Sequence, residues 1–260
     1  MRLAVLQLEV RPGERTATLQ GALRAIDAAA AETDPAPDLI LLPAFRDVLA
    51  VTGGDASMTE RCPGPVVAAC GSRAREWGLF IALGFAEREA DKPFVTTCLI
   101  DPDGDIRLSH RQSVFSTGPA DRFSVGADFE TTELIYGRVA VWSGDDCLDA
   151  DVWRRTADTG AVLAIGSACW SHAGGEAAPG ADEIRRRISG YAAGTGLCAA
   201  VADVTTGVTA ATRVCPGYSV IVGSDGAIMA SAEPGGAGAL WADVELPEPA
   251  SSAETEETPS

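Results

Sequence analysis

Lysine and histidine are nearly absent from this chain of 260 residues. Lys92 is the only lysine, His110 and His172 are the only histidines, and the formal net charge is −17. Nucleic acids and anionic membranes are bound through clustered basic side chains, so the charge balance argues against both as partners. No signal peptide and no apolar run long enough to span a bilayer are visible, so we expect neither a secretion signal nor a membrane span. We therefore expect a cytoplasmic protein.

The seven cysteines lack the spacing of a metal site. They form no Cys-x-x-Cys pair, and two histidines do not complete a structural zinc site. Cys98 and Cys198 lie inside apolar runs, and we interpret the cysteines as small buried hydrophobic residues in a reducing compartment. We expect no metal and no cofactor.

Apolar runs and helical stripes alternate along the chain in a βαβ order, which predicts parallel strand pairing. The turn sequences at 101–104 and 223–226 predict two hairpins. We expect helices at 16–33, 65–77, 150–159 and 182–193, and strands at 2–8, 38–43, 79–85, 94–100, 106–109, 138–142, 162–165, 198–204, 218–222, 227–230 and 240–244.

These segments fall into two halves, each with mixed strands and two helices. The pattern predicts an α/β fold. It favours a four-layer α-β-β-α sandwich over a single open sheet. No internal linker is visible, so residues 1–246 are expected to form a single domain. Residues 247–260 are rich in Ser, Thr, Glu and Pro and are expected to form a disordered acidic tail.

One stretch carries most of the functional information. Residues 137–146 read as a buried strand that runs into a sharp polar turn. In α/β enzymes such a strand end is where a nucleophile is usually presented. Gly144 stands at that position and has no side chain.

The order of elements and four local motifs resemble the nitrilase, or carbon-nitrogen hydrolase, superfamily over roughly residues 2–246. The resemblance implies a Glu-Lys-Cys triad, in which the thiolate attacks a nitrile or amide carbon. The glutamate takes the thiol proton and later activates water, and the lysine stabilises the tetrahedral intermediate. The resemblance also implies a homodimer.

The three reactive residues of that family are replaced in this sequence. Ala44 ends a segment, 38–44, that resembles the glutamate strand, and Gln112 takes the place of the lysine after the first hairpin. Gly144 takes the place of the cysteine. The three changes together leave no buried charge without a partner. Because loss of such a triad removes several orders of magnitude of rate, we predict a pseudoenzyme that binds a small molecule or a protein.

Two alternatives remain open: an enzyme that acts on a C–N bond with a rebuilt active site, and a non-catalytic subunit that pairs with an active homologue. Cys147 is a candidate nucleophile or a buried thiol, and Asp145 and Asp146 are candidates to pair with Arg46 or Arg111. The candidate pocket or ligand-binding residues are Arg46, His110, Ser143, Asp145, Cys147, Trp170 and His172.

Overall fold

The computed structural model of the chain describes residues 1–10, 14–32, 34–45, 59–89, 92–116, 122–127, 129–170, 172–173, 180–205 and 213–247. These residues form four α-helices and fifteen strands. In chain order they are β1 (Arg2–Glu9), α1 (Arg15–Glu32), β2 (Leu39–Phe45), α2 (Pro65–Trp77), β3 (Phe80–Glu87), β4 (Phe94–Ile100), β5 (Ile106–Arg111), β6 (Thr131–Leu134), β7 (Gly137–Ser143), α3 (Ala150–Asp158), β8 (Leu163–Ser167), β9 (His172–Ala173), α4 (Ala181–Thr195), β10 (Cys198–Ala202), β11 (Val204–Thr205), β12 (Arg213–Val214), β13 (Val220–Val222), β14 (Ile228–Ser231) and β15 (Gly238–Asp243).

The first sheet contains seven strands, in the order β11-β1-β2-β3-β4-β5, with β15 also paired to β1. Strands β1, β2 and β3 run parallel, whereas β4 and β5 extend the sheet as antiparallel neighbours. The apolar run of β2 is buried from Leu39 to Ala44, as expected for a central parallel strand covered on both faces.

The second sheet contains six strands, in the order β14-β13-β10-β8-β7-β6. Its centre, β10-β8-β7, is parallel, and both edges are antiparallel. Strands β9 and β12 form a separate two-stranded pair.

Three apolar cores define the layers. One lies between α1, α2 and the first sheet, a second lies between the two sheets, and a third lies between the second sheet and α3, α4. The predicted α/β fold with two mixed sheets and outer helices is therefore confirmed. Residues 248–260, most of the predicted tail, lie outside the described residues.

Local sequence sets the position of α2. The helix begins at Pro65, and the buried Glu60 carboxylate accepts hydrogen bonds from the backbone N–H groups of Val66 and Val67. Glu60 also pairs with Arg15 of α1. The helix ends at Gly78, whose φ of 65° is readily adopted by glycine.

The structure also differs from the sequence-based expectations. Residues Gly144–Leu148 form a short 3-10 helix directly after β7, where a turn was expected. The predictions omitted the four-residue strand β6 and the two-residue strands β9 and β12, which are too short to show a periodic pattern. They also joined β10 and the start of β11 into one strand at 198–204.

The expectation about the cysteines holds in the structure. Six of the seven cysteines are buried, and Cys62 is partly buried, which agrees with their interpretation as apolar core residues. Lys92 is exposed. Across the part of the chain that the structure describes, no helix combines the length and the hydropathy needed to cross a membrane.

Candidate functional site

The predicted glutamate position lies in a row of residues near one end of the first sheet. Ala44 on β2 is in register with Gly84 on β3, which is in register with Thr97 on β4. Thr97 is in turn in register with His110 on β5. The row therefore runs from Ala44 to His110, which lies two residues before Gln112 in the sequence.

The second sheet meets this row through hydroxyl groups. Ser143, the last residue of β7, has its Oγ atom 2.8 Å from Oγ1 of Thr97 and 2.8 Å from the carbonyl oxygen of His110. Its register neighbour Ser167, at the end of β8, donates a hydrogen bond to the carbonyl oxygen of Leu42 at 2.7 Å. These bonds join the sheets where the candidate site lies, and they occupy the hydroxyl of Ser143.

Gly144 lies directly against Gln112. The glycine has a φ of 57°, in the left-handed region that disfavours residues with a side chain. A Cβ atom at this position would lie 2.5 Å from Cδ and 2.8 Å from Nε2 of Gln112, and closer still to Oε1. The structure thus places two of the three predicted triad positions in contact.

The Gln112 side chain is anchored within this region. The residue is only 1% exposed, and its Nε2 group donates a hydrogen bond to the carbonyl oxygen of Val114 at 2.6 Å. Oε1 is buried and has no hydrogen-bond partner among the described residues. The amide is neutral, so this position supplies no ammonium charge for a tetrahedral intermediate.

Ala44 lies in an apolar cluster with four other buried residues: Val10, Cys169, Val204 and Cys215. Its backbone N–H donates to the carbonyl oxygen of Ala168 at 3.1 Å, which links β2 to the end of β8. The methyl side chain carries no proton acceptor, so position 44 supplies no general base.

Asp146 organises the loop that holds Gln112. Its Oδ1 atom accepts bonds from the N–H and Oγ of Ser113 and from the N–H of Val114, at 2.8–3.0 Å. Its Oδ2 atom accepts from the backbone N–H of Ser143 at 3.2 Å and lies 2.8 Å from Nε2 of His110. This fully buried carboxylate therefore connects the end of β5 to the start of the 3-10 helix.

His110 has a positioning role in this arrangement. The ring is 3% exposed, donates from Nε2 to Asp146 and stacks on Phe129 with centroids 4.9 Å apart. The hydroxyl of Ser143 contacts the backbone oxygen of His110, not the imidazole. His110 therefore does not activate Ser143 as a nucleophile.

Cys147 is a buried thiol on the 3-10 helix. It is 0% exposed, and its Sγ donates to the carbonyl oxygen of Gly144 at 3.3 Å. Burial raises the pKa of the Cys147 thiol well above its usual range, and the carboxylates of Asp145, Asp146 and Asp203 raise it further. A nucleophilic cysteine needs the opposite environment.

The predicted pairing of Arg111 with Asp145 or Asp146 is wrong. Arg111 is on the helix-covered face of the first sheet, where its guanidinium pairs with Glu87 at 2.8 and 2.9 Å, pairs with Glu89 and lies over the ring of Phe94. Successive β residues face opposite ways, so Arg111 points away from the inter-sheet side where His110 meets Asp146.

Asp145 has a backbone contact in the site. It is 1% exposed, and its Oδ2 accepts a hydrogen bond from the backbone N–H of Ser116 at 2.8 Å. The bond fixes the segment that follows Gln112. Arg46, its other predicted partner, lies outside the described residues, and so does the side chain of His172.

Trp170 lies at the same end of the molecule, beyond β8. It is 5% exposed, and its backbone N–H donates to Oδ1 of Asp203 at 3.0 Å. The indole Nε1–H has no acceptor among the described residues. Trp170 belongs to the core between the second sheet and its helices.

Sequence reasoning missed Asp203. This fully buried carboxyl accepts hydrogen bonds from the backbone N–H groups of Trp170, Val204 and Tyr218 at 2.9–3.0 Å. Burial raises the pKa of Asp203 to about 8, Cys169 adds to the rise, and the three N–H donors limit it. The available signal was an isolated acidic residue directly after the small apolar residues of β10.

A sequence model of the carbon-nitrogen hydrolase family matches residues 2–253. The chain belongs to the carbon-nitrogen hydrolase family. The predicted superfamily is thus confirmed. None of the curated proteins matches the chain.

Solved structures of carbon-nitrogen hydrolases share the fold of this family member. An amidase from Nesterenkonia sp. AN1, carrying a glutamate-to-glutamine change and acrylamide added to its active-site cysteine, matches with a TM-score of 0.79 and 20% identity over 94% of this chain and 93% of that chain. A carbon-nitrogen hydrolase from Helicobacter pylori G27 matches with a TM-score of 0.78 and 16% identity over 94% and 89%. The Nesterenkonia amidase with its cysteine changed to alanine, in complex with butyramide, matches with a TM-score of 0.77 and 20% identity over 93% and 89%.

Proposed function

We propose that this family member does not use the Glu-Lys-Cys chemistry and acts by binding a small molecule or a protein. One observation carries the proposal: Gly144 adopts a left-handed conformation with the Gln112 amide packed against it. The space that a side chain at 144 would need is already filled by the residue at the predicted lysine position. The two replacements therefore fit each other.

The neighbouring candidate nucleophiles support the same proposal. The thiol of Cys147 is buried, has a raised pKa and donates to a backbone oxygen. The hydroxyl of Ser143 contacts Thr97 and a backbone oxygen and has no basic side chain beside it among its described partners. Nucleophilic catalysis by either group requires an adjacent base or a lowered pKa.

The neutral character of the three replaced positions favours an uncharged ligand. Ala44, Gln112 and Gly144 supply no formal charge, and a buried charge without a partner costs several kcal/mol. Gln112 Oε1 is buried and has no hydrogen-bond partner among the described residues, so a ligand that displaces its neighbours to bind it must offer an N–H or O–H donor. Small primary amides have such donors and suit this proposal.

The direct test combines turnover with binding. Acetamide, butyramide and a short aliphatic nitrile are incubated with the purified protein, and released ammonia is measured. We expect no release above the buffer background, while thermal unfolding with butyramide reports binding as a raised Tm. Ammonia release that disappears in the Gly144→Ala or Cys147→Ser variant would overturn the proposal.

A second candidate function is hydrolysis of a C–N bond with a rebuilt active site. It is favoured by the similarity to amidases, one of which carries a covalent addition at its active-site cysteine. Acrylamide and fluoroacetamide distinguish the two candidates, since a reactive cysteine gains mass that peptide mapping can locate. The binding proposal expects no adduct on Cys147 in the native state, and a stoichiometric adduct on Cys147 supports the enzyme.

A further inference from the structure

Two cysteines that are far apart in sequence come together beside Ala44. Cys169 and Cys215 are 46 residues apart, and their sulfur atoms lie 4.0 Å from each other. Each residue is 3% exposed, and no disulfide joins them in the structure. Cys169 follows β8 of the second sheet, and Cys215 follows β12. The pair is therefore created by tertiary structure and has no Cys-x-x-Cys signature.

The two thiols belong to an apolar cluster. Val10, Ala44 and Val204 complete the cluster that contains both thiols. The small side chain of Ala44 contributes only a methyl group, whereas a carboxylate at position 44 would place a negative charge in the same cluster. A negative charge beside a thiol disfavours the thiolate that reacts in oxidation, and so does burial, so we expect peroxide to oxidise this pair more slowly than an exposed thiol.

Asp203 lies close enough to Cys169 to affect its ionisation. The Asp203 carboxyl is held by the backbone N–H of Trp170, the residue next to Cys169. After burial, Cys169 is the next largest cause of the raised pKa of Asp203. A charged Asp203 would disfavour the Cys169 thiolate, but burial keeps this carboxyl mainly protonated below about pH 8.

We propose that Cys169 and Cys215 form a reversible dithiol–disulfide pair that is oxidised by hydrogen peroxide. One thiol attacks the peroxide, the O–O bond breaks, and sulfenic acid and water form. The second sulfur attacks the sulfenic sulfur, an S–S bond forms, and a second water leaves. Overall, two thiols lose two electrons and two protons, and one peroxide is reduced to two waters.

Little movement is needed for this reaction. A disulfide has an S–S distance of about 2.05 Å, so the two sulfur atoms must approach by about 2 Å. The bond would tie the end of β8 to the segment before β13, beside Ala44. Oxidation thus cross-links two segments that border the candidate functional site.

The test maps thiols after oxidation of the full chain. The protein is treated with hydrogen peroxide, unfolded, alkylated, digested and analysed by mass spectrometry. We expect a peptide that links Cys169 to Cys215, two fewer alkylated thiols and reversal by dithiothreitol. Closing a loop of this length should raise the Tm by about 5–10 °C.

Matched variants make the outcome decisive. Cys169→Ser and Cys215→Ser should each abolish the linked peptide and the Tm shift, while Cys198→Ser should retain both. Circular dichroism establishes that each variant is folded. The proposal is overturned if peroxide oxidises Cys62 while Cys169 and Cys215 stay reduced, or if either becomes sulfinic acid without a link. Neither result depends on whether the protein hydrolyses amides, so the test is independent of the proposed function.

Discussion

Gly144 and Gln112 share one space: a Cβ atom at position 144 would lie 2.5 Å from Cδ of Gln112. Gly144 also has a φ of 57°, which disfavours any residue with a side chain. A cysteine with this backbone would meet the glutamine amide. Glycine at position 144 therefore leaves the space that the Gln112 amide occupies.

We predict that Gly144→Ala lowers the free energy of unfolding by about 1–3 kcal/mol, from backbone strain and from contact with Gln112. Gln112→Ala removes the contact but not the strain, so the double variant should lose less stability than the two single changes together. Urea unfolding of the four proteins measures this coupling. Gly194→Ala is the matched control, because a Cβ there meets no atom within 4 Å and should slightly stabilise its helix. Simple additivity of the two site changes would contradict this coupling.

Asp146 should be essential to the geometry of the site. We predict that Asp146→Asn lowers the free energy of unfolding by about 2–4 kcal/mol, since an amide cannot accept all five bonds that the carboxylate accepts. Thermal unfolding measures the loss. Asp158→Asn, on the exposed surface of α3, is the control and should leave the Tm unchanged. Equal effects of the two changes would show that Asp146 has no special role.

Stability should depend on pH through Asp203. Its folded-state pKa is raised from 3.8 to about 8, so its contribution to stability is fully present below about pH 4. Between pH 4 and 8 the unfolded state loses the proton and the folded state keeps it, so stability falls as pH rises. The slope from this group is at most about 1.4 kcal/mol per pH unit.

The Asp203→Asn variant tests this assignment. It should flatten the dependence of unfolding free energy on pH between 4 and 8, because it removes the titrating group. Asp243→Asn, at an exposed position of β15, should keep the wild-type slope. An unchanged slope in Asp203→Asn would mean that another group titrates in this range.

The alkylation rate of Cys147 should show that it behaves as a buried thiol and not as a catalytic one. Cys147 is 0% exposed and its pKa is raised well above the usual range, so iodoacetamide should label it at pH 8 only as fast as the protein opens. Cys62 is partly buried with a thiol pKa of about 11, and we expect it to react sooner. Peptide mapping over time gives both rates. Preferential labelling of Cys147 in the folded protein would contradict this prediction and support Cys147 as a nucleophile.

Much of the architecture was predictable because it rests on local patterns. The apolar run of β2, the proline and glycine at the ends of α2 and the hairpin sequences predict elements that the structure contains. The 3-10 helix after β7 was not predicted, since its capping box between Ser143 and Asp146 also depends on packing against the segment after β5.

The candidate site was also predictable only in part. Sequence motifs predict Ala44, Gln112 and Gly144 as the triad positions, and that assignment stays a prediction. The contacts of the neighbouring polar residues could not be predicted from their spacing. His110 bonds to Asp146, whereas Arg111 turns to the opposite face and pairs with Glu87. A one-residue step along a strand reverses the direction of the side chain, and the partner on the other strand decides the contact.

The sequence by itself determined the family pattern, the order of helices and strands and the absence of side-chain charge at three positions, because residue identity and periodicity are local properties. Tertiary structure alone decided that Gln112 fills the space beside Gly144 and that Cys169 meets Cys215 across 46 residues. It also buried Asp203 enough to raise its pKa. Contact and desolvation depend on chain segments that are distant in sequence, so no local pattern reports them.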